Sequence, residues 1–170
     1  MTVNGHDTAV IGLGNVVLSD DGLGVHAVRR MQRRDPFRDT VELVEGGTAG
    51  LLLLPILADA RRVIIVDAID IGAPAGTLVR LDGDEWASAF EFRMTPHDVG
   101  LVDLLGAARL SGAWPEQLVL HGIQPASTAI GTELSPPVAT ALEPLVDVIQ
   151  AELGLRDAAF AHPSGSAACA

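Results

Sequence analysis

The sequence predicts an α/β fold in which helices cover a largely parallel β-sheet. Three observations carry that expectation. Short β-branched apolar runs alternate along the chain with longer stretches of helical spacing, the pattern of repeated strand–helix units. The run "RVIIVDAI" (62–69) is apolar without alternation, as a strand covered on both faces must be. The chain has 170 residues, 48% of them hydrophobic, enough to bury one core without a disulfide or metal staple.

Each element has its own signal. "TAVIGLG" (8–14) reads as the first buried strand. Leu23, Ala27, Val28 and Met31 then share one helical face, which predicts a helix from Asp21 to Arg34. Ser19, Asp20 and Asp21 suit its positive end, and Arg29, Arg30, Arg33 and Arg34 its negative end. "TVELVEG" (40–46) is a second strand, and "AGLLLLPILADA" (49–60) a short helix bent or begun at Pro55. Residues 62–69 form the third strand. "GTLVRLD" (76–82) alternates after "GAPAG", as an edge or antiparallel strand does. Residues 83–95 read as irregular, with Trp86, Phe90 and Phe92 either a lid on the sheet or a substrate contact. "TPHDVGLVDLLGAARL" (95–110) is a helix with Thr95 as cap, Pro96 at its first position and Asp98 in its first turn. "QLVLHGIQP" (117–125) is a further strand. Residues 135–154 are a helix capped by Ser135, kinked at Pro144 and stopped by Gly154. One domain is expected over 1–154. The small, polar stretch 155–170 is expected to be a disordered tail.

Composition narrows the function. The formal net charge is −11, from 22 acidic and 11 basic residues, which disfavours nucleic acid and anionic membranes as partners. Every basic residue is arginine. That excludes a P-loop lysine, a Schiff-base lysine and a Ser-Lys dyad. Cys169 is the only cysteine, so no internal disulfide or thiolate cluster forms. "MTVNGHDTAV" has neither a basic nor an apolar leader segment, and "LLLLPILADA" is too short to span a bilayer. A cytoplasmic location is expected.

Three polar residues stand out by position. Asp21 opens the helix after the first strand. Asp67 ends the apolar run "VIIVD", where a charge is costly unless it faces a mouth or a partner. His97 lies in the first turn of the helix capped by Thr95. All three fall at the carboxyl edge of the sheet, where α/β folds place their sites. Two carboxylates and an imidazole suit a borderline divalent metal with open coordination positions. Each residue also has a plainer role: Asp21 at a helix N-terminus, Asp67 capping a turn, His97 on the surface. "GLGN" (12–15) could begin a dinucleotide fingerprint, but position 17 is Val17 rather than glycine. Asp20 and Asp21 would also repel a pyrophosphate there. No G-x-S-x-G elbow or H-E-x-x-H motif occurs, and His121 reads as structural.

Taken in order, "GLGNVVLSDDGLGV" (12–25), "VELVEGGTAG" (41–50), "VIIVDAID" (63–70), "TPHDVGLVDLL" (95–105), "LVLHGIQP" (118–125) and, more loosely, "LSPPVATALEPL" (134–145) resemble the hydrogenase maturation endopeptidases. The resemblance covers about residues 8 to 153. It implies a three-layer sandwich with a twisted, mostly parallel five-stranded sheet between helices. It also implies removal of the C-terminal extension from the precursor of a nickel-iron hydrogenase large subunit. The family's metal-binding trio falls on Asp21, Asp67 and His97, which would recognise nickel presented by the substrate. No permanently bound organic cofactor is expected, and a monomer is. Relatives often carry aspartate where this chain has Glu45, the candidate general base. Gly14, Asn15, Asp20, Gly46, Gly47 and Thr48 are the expected substrate-binding residues. Two other readings stand beside this one: a metallohydrolase with its own bound metal, and a non-enzymatic nickel- or nucleotide-binding module.

Overall fold

The computed structural model describes residues 6–34, 40–82 and 99–160, except for the side chains of 99 and 155–160. Its sheet contains β1 (Thr8–Leu13), β2 (Val41–Gly47), β3 (Arg62–Ala68), β4 (Leu78–Asp82) and β5 (Gln117–Ile123) in the order β2-β1-β3-β5-β4. The first four strands of that order run parallel. β4 lies antiparallel to β5 at the edge, pairing Leu78 with Ile123 and Asp82 with Val119. β1 and β3 occupy the centre, with Thr8 opposite Arg62 and Gly12 opposite Val66. Both are buried on two faces, which explains their unbroken apolar sequences.

Helices α1 (Leu23–Arg34) and α4 (Pro136–Phe160) cover one face. Leu23, Val28 and Met31 of α1 meet Val138, Leu145 and Ile149 of α4 over Val10, Ile64 and Val66. On the other face lie a 3-10 turn (Gly50–Leu53), α2 (Leu54–Asp59) and α3 (Val99–Ser111). There Leu57, Leu104 and Leu105 pack on Ile11, Ile65 and Leu120. Successive residues of β1 and β3 thus feed opposite cores, as the two-residue period of a strand requires. No described helix is long and apolar enough to cross a membrane.

Two boundaries differ from expectation. A 3-10 turn, Ser19–Gly22, precedes α1, which begins at Leu23 rather than Asp21. α4 runs through Pro144 and past Gly154 to Phe160, so helix extends six residues into the expected tail. Glycine in a helix costs only about 1 kcal/mol, too little to stop one whose preceding turns are packed on a sheet. α2 begins with Pro55 in its first turn, and β4 is both an edge strand and antiparallel. The cap at Thr95 and the aromatic residues Trp86, Phe90 and Phe92 lie outside the described residues.

An ion-pair cluster ties α4 to the sheet. The Glu152 carboxylate accepts from Arg62 Nη2 at 2.7 Å, Arg80 Nε at 3.2 Å and His121 Nε2 at 2.9 Å. Burial alone would raise its pKa, but the hydrogen bonds from Arg80 and His121 offset that and bring it from 4.5 to about 2. Burial pushes His121 below 6.5, so it is neutral at pH 7 and donates from Nε2. A depressed carboxyl pKa stabilises the fold above the unfolded-state value and loses that contribution as pH falls toward the folded one. Glu152→Gln is therefore expected to cost about 3 kcal/mol at pH 7 by stranding the buried Arg62. Urea denaturation should show that difference shrinking as pH drops from 4.5 toward about 2.

Candidate active site

A cavity of about 620 Å³ opens at the carboxyl ends of β1 and β3. Leu13, Leu53, Leu101 and Leu104 give it apolar surface, and Asp21, Asp67 and Asp70 supply carboxylates. Gly47 and Thr48, which follow from β2, form one wall, and residues 124–128, which follow β5, form another. No arginine is among the described residues that line it.

Gly14 is the hinge of the site. Its φ is 101°, a region open to glycine and strained for other residues. Its amide donates to the Gly47 carbonyl at 3.0 Å, which joins the β1 and β2 loops. A Cβ at this position would lie 1.7 Å from the Asp21 carbonyl and 3.5 Å from Asp67 Oδ1. The Asp21 backbone and the Asp67 side chain, 46 positions apart in the sequence, thus meet at one glycine. The Asn15 amide donates to Asp21 Oδ2 at 2.7 Å, and the Ala68 amide to Asp67 Oδ1 at 2.8 Å. Both carboxylates are oriented by backbone donors while they border the cavity.

The neighbouring Asp20 faces away from the cavity. It is fully buried. Its Oδ2 accepts from the amides of Ala126 at 2.9 Å and Ser127 at 3.0 Å and from Ser135 Oγ at 2.8 Å, and Oδ1 accepts from the Ser135 amide at 2.7 Å. Burial raises its pKa, but the bonds from Ser135, Ser127 and Ala126 prevail and hold the carboxyl below 3.8. Asp20 therefore fastens the cavity wall and the start of α4 to the turn that carries Asp21. Unlike Asp21, this expected substrate-binding residue is not among those that line the cavity. Asp20→Asn would turn an amide donor against donors already in place. It is expected to cost about 2–3 kcal/mol, read as a lower urea midpoint.

Two residues not singled out in the sequence also shape the cavity. Gln124 is buried. Its Oε1 accepts from the Ile71 amide at 2.9 Å and the Ala73 amide at 3.2 Å, and its Nε2 donates to Asp70 Oδ1 at 3.0 Å. Asp70 lies three residues beyond Asp67 and lines the same cavity. A polar residue closing the apolar run "LVLHGIQ" was the available signal for Gln124.

Of the expected site residues, Asp21, Asp67, Gly14, Gly47 and Thr48 line the cavity. Glu45 does not. It pairs with Arg29 of α1 at 2.9 Å, with its side chain 38% exposed. Its register partner is Gly12, one residue before the strand ends, so its side chain emerges on the α1 side. Glu45, the expected general base, thus stands outside the cavity lining, on the α1 side of the sheet. Asn15 spends its side chain on the Val17 amide, at 3.1 Å, and shapes the loop. Gly46 packs behind the wall, where a Cβ would stand 2.8 Å from Ile11 Cγ2. His97 lies outside the described residues. His121 belongs to the Glu152 cluster.

Comparison with known proteins gives a consistent result. A family model described as hydrogenase maturation protease (HycI) matches residues 25–152. Hydrogenase 2 maturation protease of Escherichia coli K12 is 38% identical over 146 residues, spanning 85% of this chain and 88% of that one. The hydrogenase expression/formation protein HupM of Azotobacter chroococcum is 36% identical over 158 residues, spanning 92% and 76%. The solved structure of the hydrogenase maturating endopeptidase HybD from E. coli matches with a TM-score of 0.81 at 35% identity, covering 88% of this chain and 93% of that one.

Proposed function

The chain belongs to the hydrogenase maturation protease family, and from that premise we propose that this endopeptidase removes the C-terminal extension of a nickel-iron hydrogenase large-subunit precursor, recognising nickel that the precursor already holds. The observation that carries this reading is that Asp21 and Asp67 both line one cavity and both pack against Gly14. Two oriented carboxylates attract a divalent cation, and their oxygen donors leave room for ligands from another chain. His97 precedes α3, whose Gly100 and Leu101 line that cavity, and we assign it as the third ligand.

In this scheme nickel arrives as part of the substrate. Binding it to Asp21, Asp67 and His97 places the adjoining peptide against Gly47 and Thr48. Held there, the cation would supply Lewis-acid polarisation of the scissile carbonyl or activation of the attacking water. Asp70, a carboxylate of the cavity outside the proposed ligand set, takes the role of general base in place of Glu45. A precursor without nickel lacks the group that aligns its peptide, and alignment alone is worth orders of magnitude in rate.

The test is to incubate the purified protein with nickel-loaded and nickel-free precursor and weigh the products. Cleavage of the loaded form alone is expected. Equal cutting of both forms would remove nickel from the recognition step.

A further inference from the structure

Eight large aliphatic side chains are exposed among the described residues, and five of them lie within three residues in sequence of residues that line the cavity. Val17 lies between Gly14 and Asp21. Leu51 and Leu52 belong to the 3-10 turn between Gly50 and Leu53. Ile71 follows Asp70, and Ile130 follows Thr128 by two residues. The other three, Leu78, Leu110 and Val148, are scattered over β4, α3 and α4. Single exposed aliphatics are ordinary; their concentration around one opening is not.

The mouth is also held in shape. Leu18 bridges to Gly131, the Gly131 amide donates to the Val17 carbonyl at 3.0 Å, and the Ser19 amide donates to the Gly131 carbonyl at 2.8 Å. Ser19 adopts a positive φ of 48° to make these bonds, and its hydroxyl donates to the Ala129 carbonyl at 2.9 Å. The Val17 and Ile130 loops are therefore one laced unit, anchored below by Asp20. Gln124 in turn fixes the backbone of Ile71. A rim ordered before binding loses little entropy when a partner settles on it.

We infer that Val17, Leu51, Leu52, Ile71 and Ile130 form a docking collar for the folded body of the precursor, which presents an apolar surface around the segment to be cut. This rests on the function proposed above. A bare peptide threading into the cavity would leave most of these side chains uncovered, because none of the five is among the residues that line it. The division of labour follows: the acidic cavity reads the cation and the peptide, and the collar reads the body that carries them.

The experiment uses the full chain, the nickel-loaded precursor and the double variant Leu52→Asp with Ile130→Asp. These side chains are 81% and 92% exposed, so the fold tolerates the change. Leu110→Asp, on a side chain 92% exposed near the far end of α3, is the control. KM for the precursor is expected to rise about tenfold or more in the double variant with kcat retained, and to stay unchanged in the control. A synthetic peptide of the extension should compete weakly, and equally against wild type and variant. Unchanged precursor kinetics in the double variant would overturn the collar. So would an equal loss of affinity for peptide and precursor, or a changed self-association in sedimentation without a change in KM. If the wild-type chain neither binds nor cuts the precursor, the proposed function falls and the collar falls with it. If it cuts normally while the collar variants match it, the collar alone falls.

Discussion

Asp21→Asn and Asp67→Asn, made singly, are each expected to lower precursor cleavage by about 100-fold or more while leaving the melting temperature nearly unchanged. Asparagine keeps the shape of aspartate and its acceptor oxygen. The amide of Asn15 can still donate to position 21, and that of Ala68 to position 67. What is lost is charge at the cavity border, and with it one anionic ligand for a cation. The double variant should be little worse than either single one, since two ligands of one ion act as a unit. Rates from a precursor-cleavage assay, read beside thermal unfolding, check both halves of the expectation. A single variant that cuts at the wild-type rate would remove that carboxylate from the chemistry. A variant that unfolds early would show that its charge serves the fold instead.

Gly24→Ala is expected to cost about 3 kcal/mol or more, a large share of the stability of a domain this size. A Cβ there would stand 2.0 Å from the Val66 carbonyl oxygen, 2.5 Å from the Leu13 amide nitrogen and 2.6 Å from the Leu13 carbonyl oxygen. All three are backbone atoms of the central strands, and no side chain can swing aside to relieve them. α1 would have to lift from the sheet at its first turn, where it buries Leu23. The turn that carries Asp20 and Asp21 is joined to that end of the helix. Cleavage should therefore fall together with stability, unlike in the Asp21 and Asp67 variants. Denaturant unfolding at fixed temperature measures the first effect, and activity well below the melting point measures the second. A chain with alanine at 24 and wild-type stability would contradict the close approach of α1 to β1 and β3.

The two carboxylates show how far local pattern reaches. Asp67 is visible because a charge ends a fully buried strand, and Asp21 because it follows the glycine loop after another. Asp20 is its immediate neighbour, of the same type and with the same local propensity, yet it points into the 126–135 segment. One step along a tight turn reverses a side chain's direction, and nothing within several residues records which of the two will face the cavity. Glu45 fails for a related reason. Its place before "GGTAG" put it near the site, but the period of the strand turned it toward Arg29. Gln124 and Asp70 escaped notice because their importance lies in binding each other across 54 positions.

From the sequence alone came the order of the elements and the largely parallel sheet, with 76–82 as an edge or antiparallel strand, because strands buried on two faces and helices buried on one must carry different hydrophobic periods. The glycines that permit close backbone approach, and the acids that follow them, were legible for the same local reason. Only the tertiary structure decided which acids share the cavity, which one fastens its wall and which aliphatic side chains stay exposed. Those choices depend on contacts between distant segments and on the direction of a side chain from a turn, and neither leaves a periodic trace along the chain.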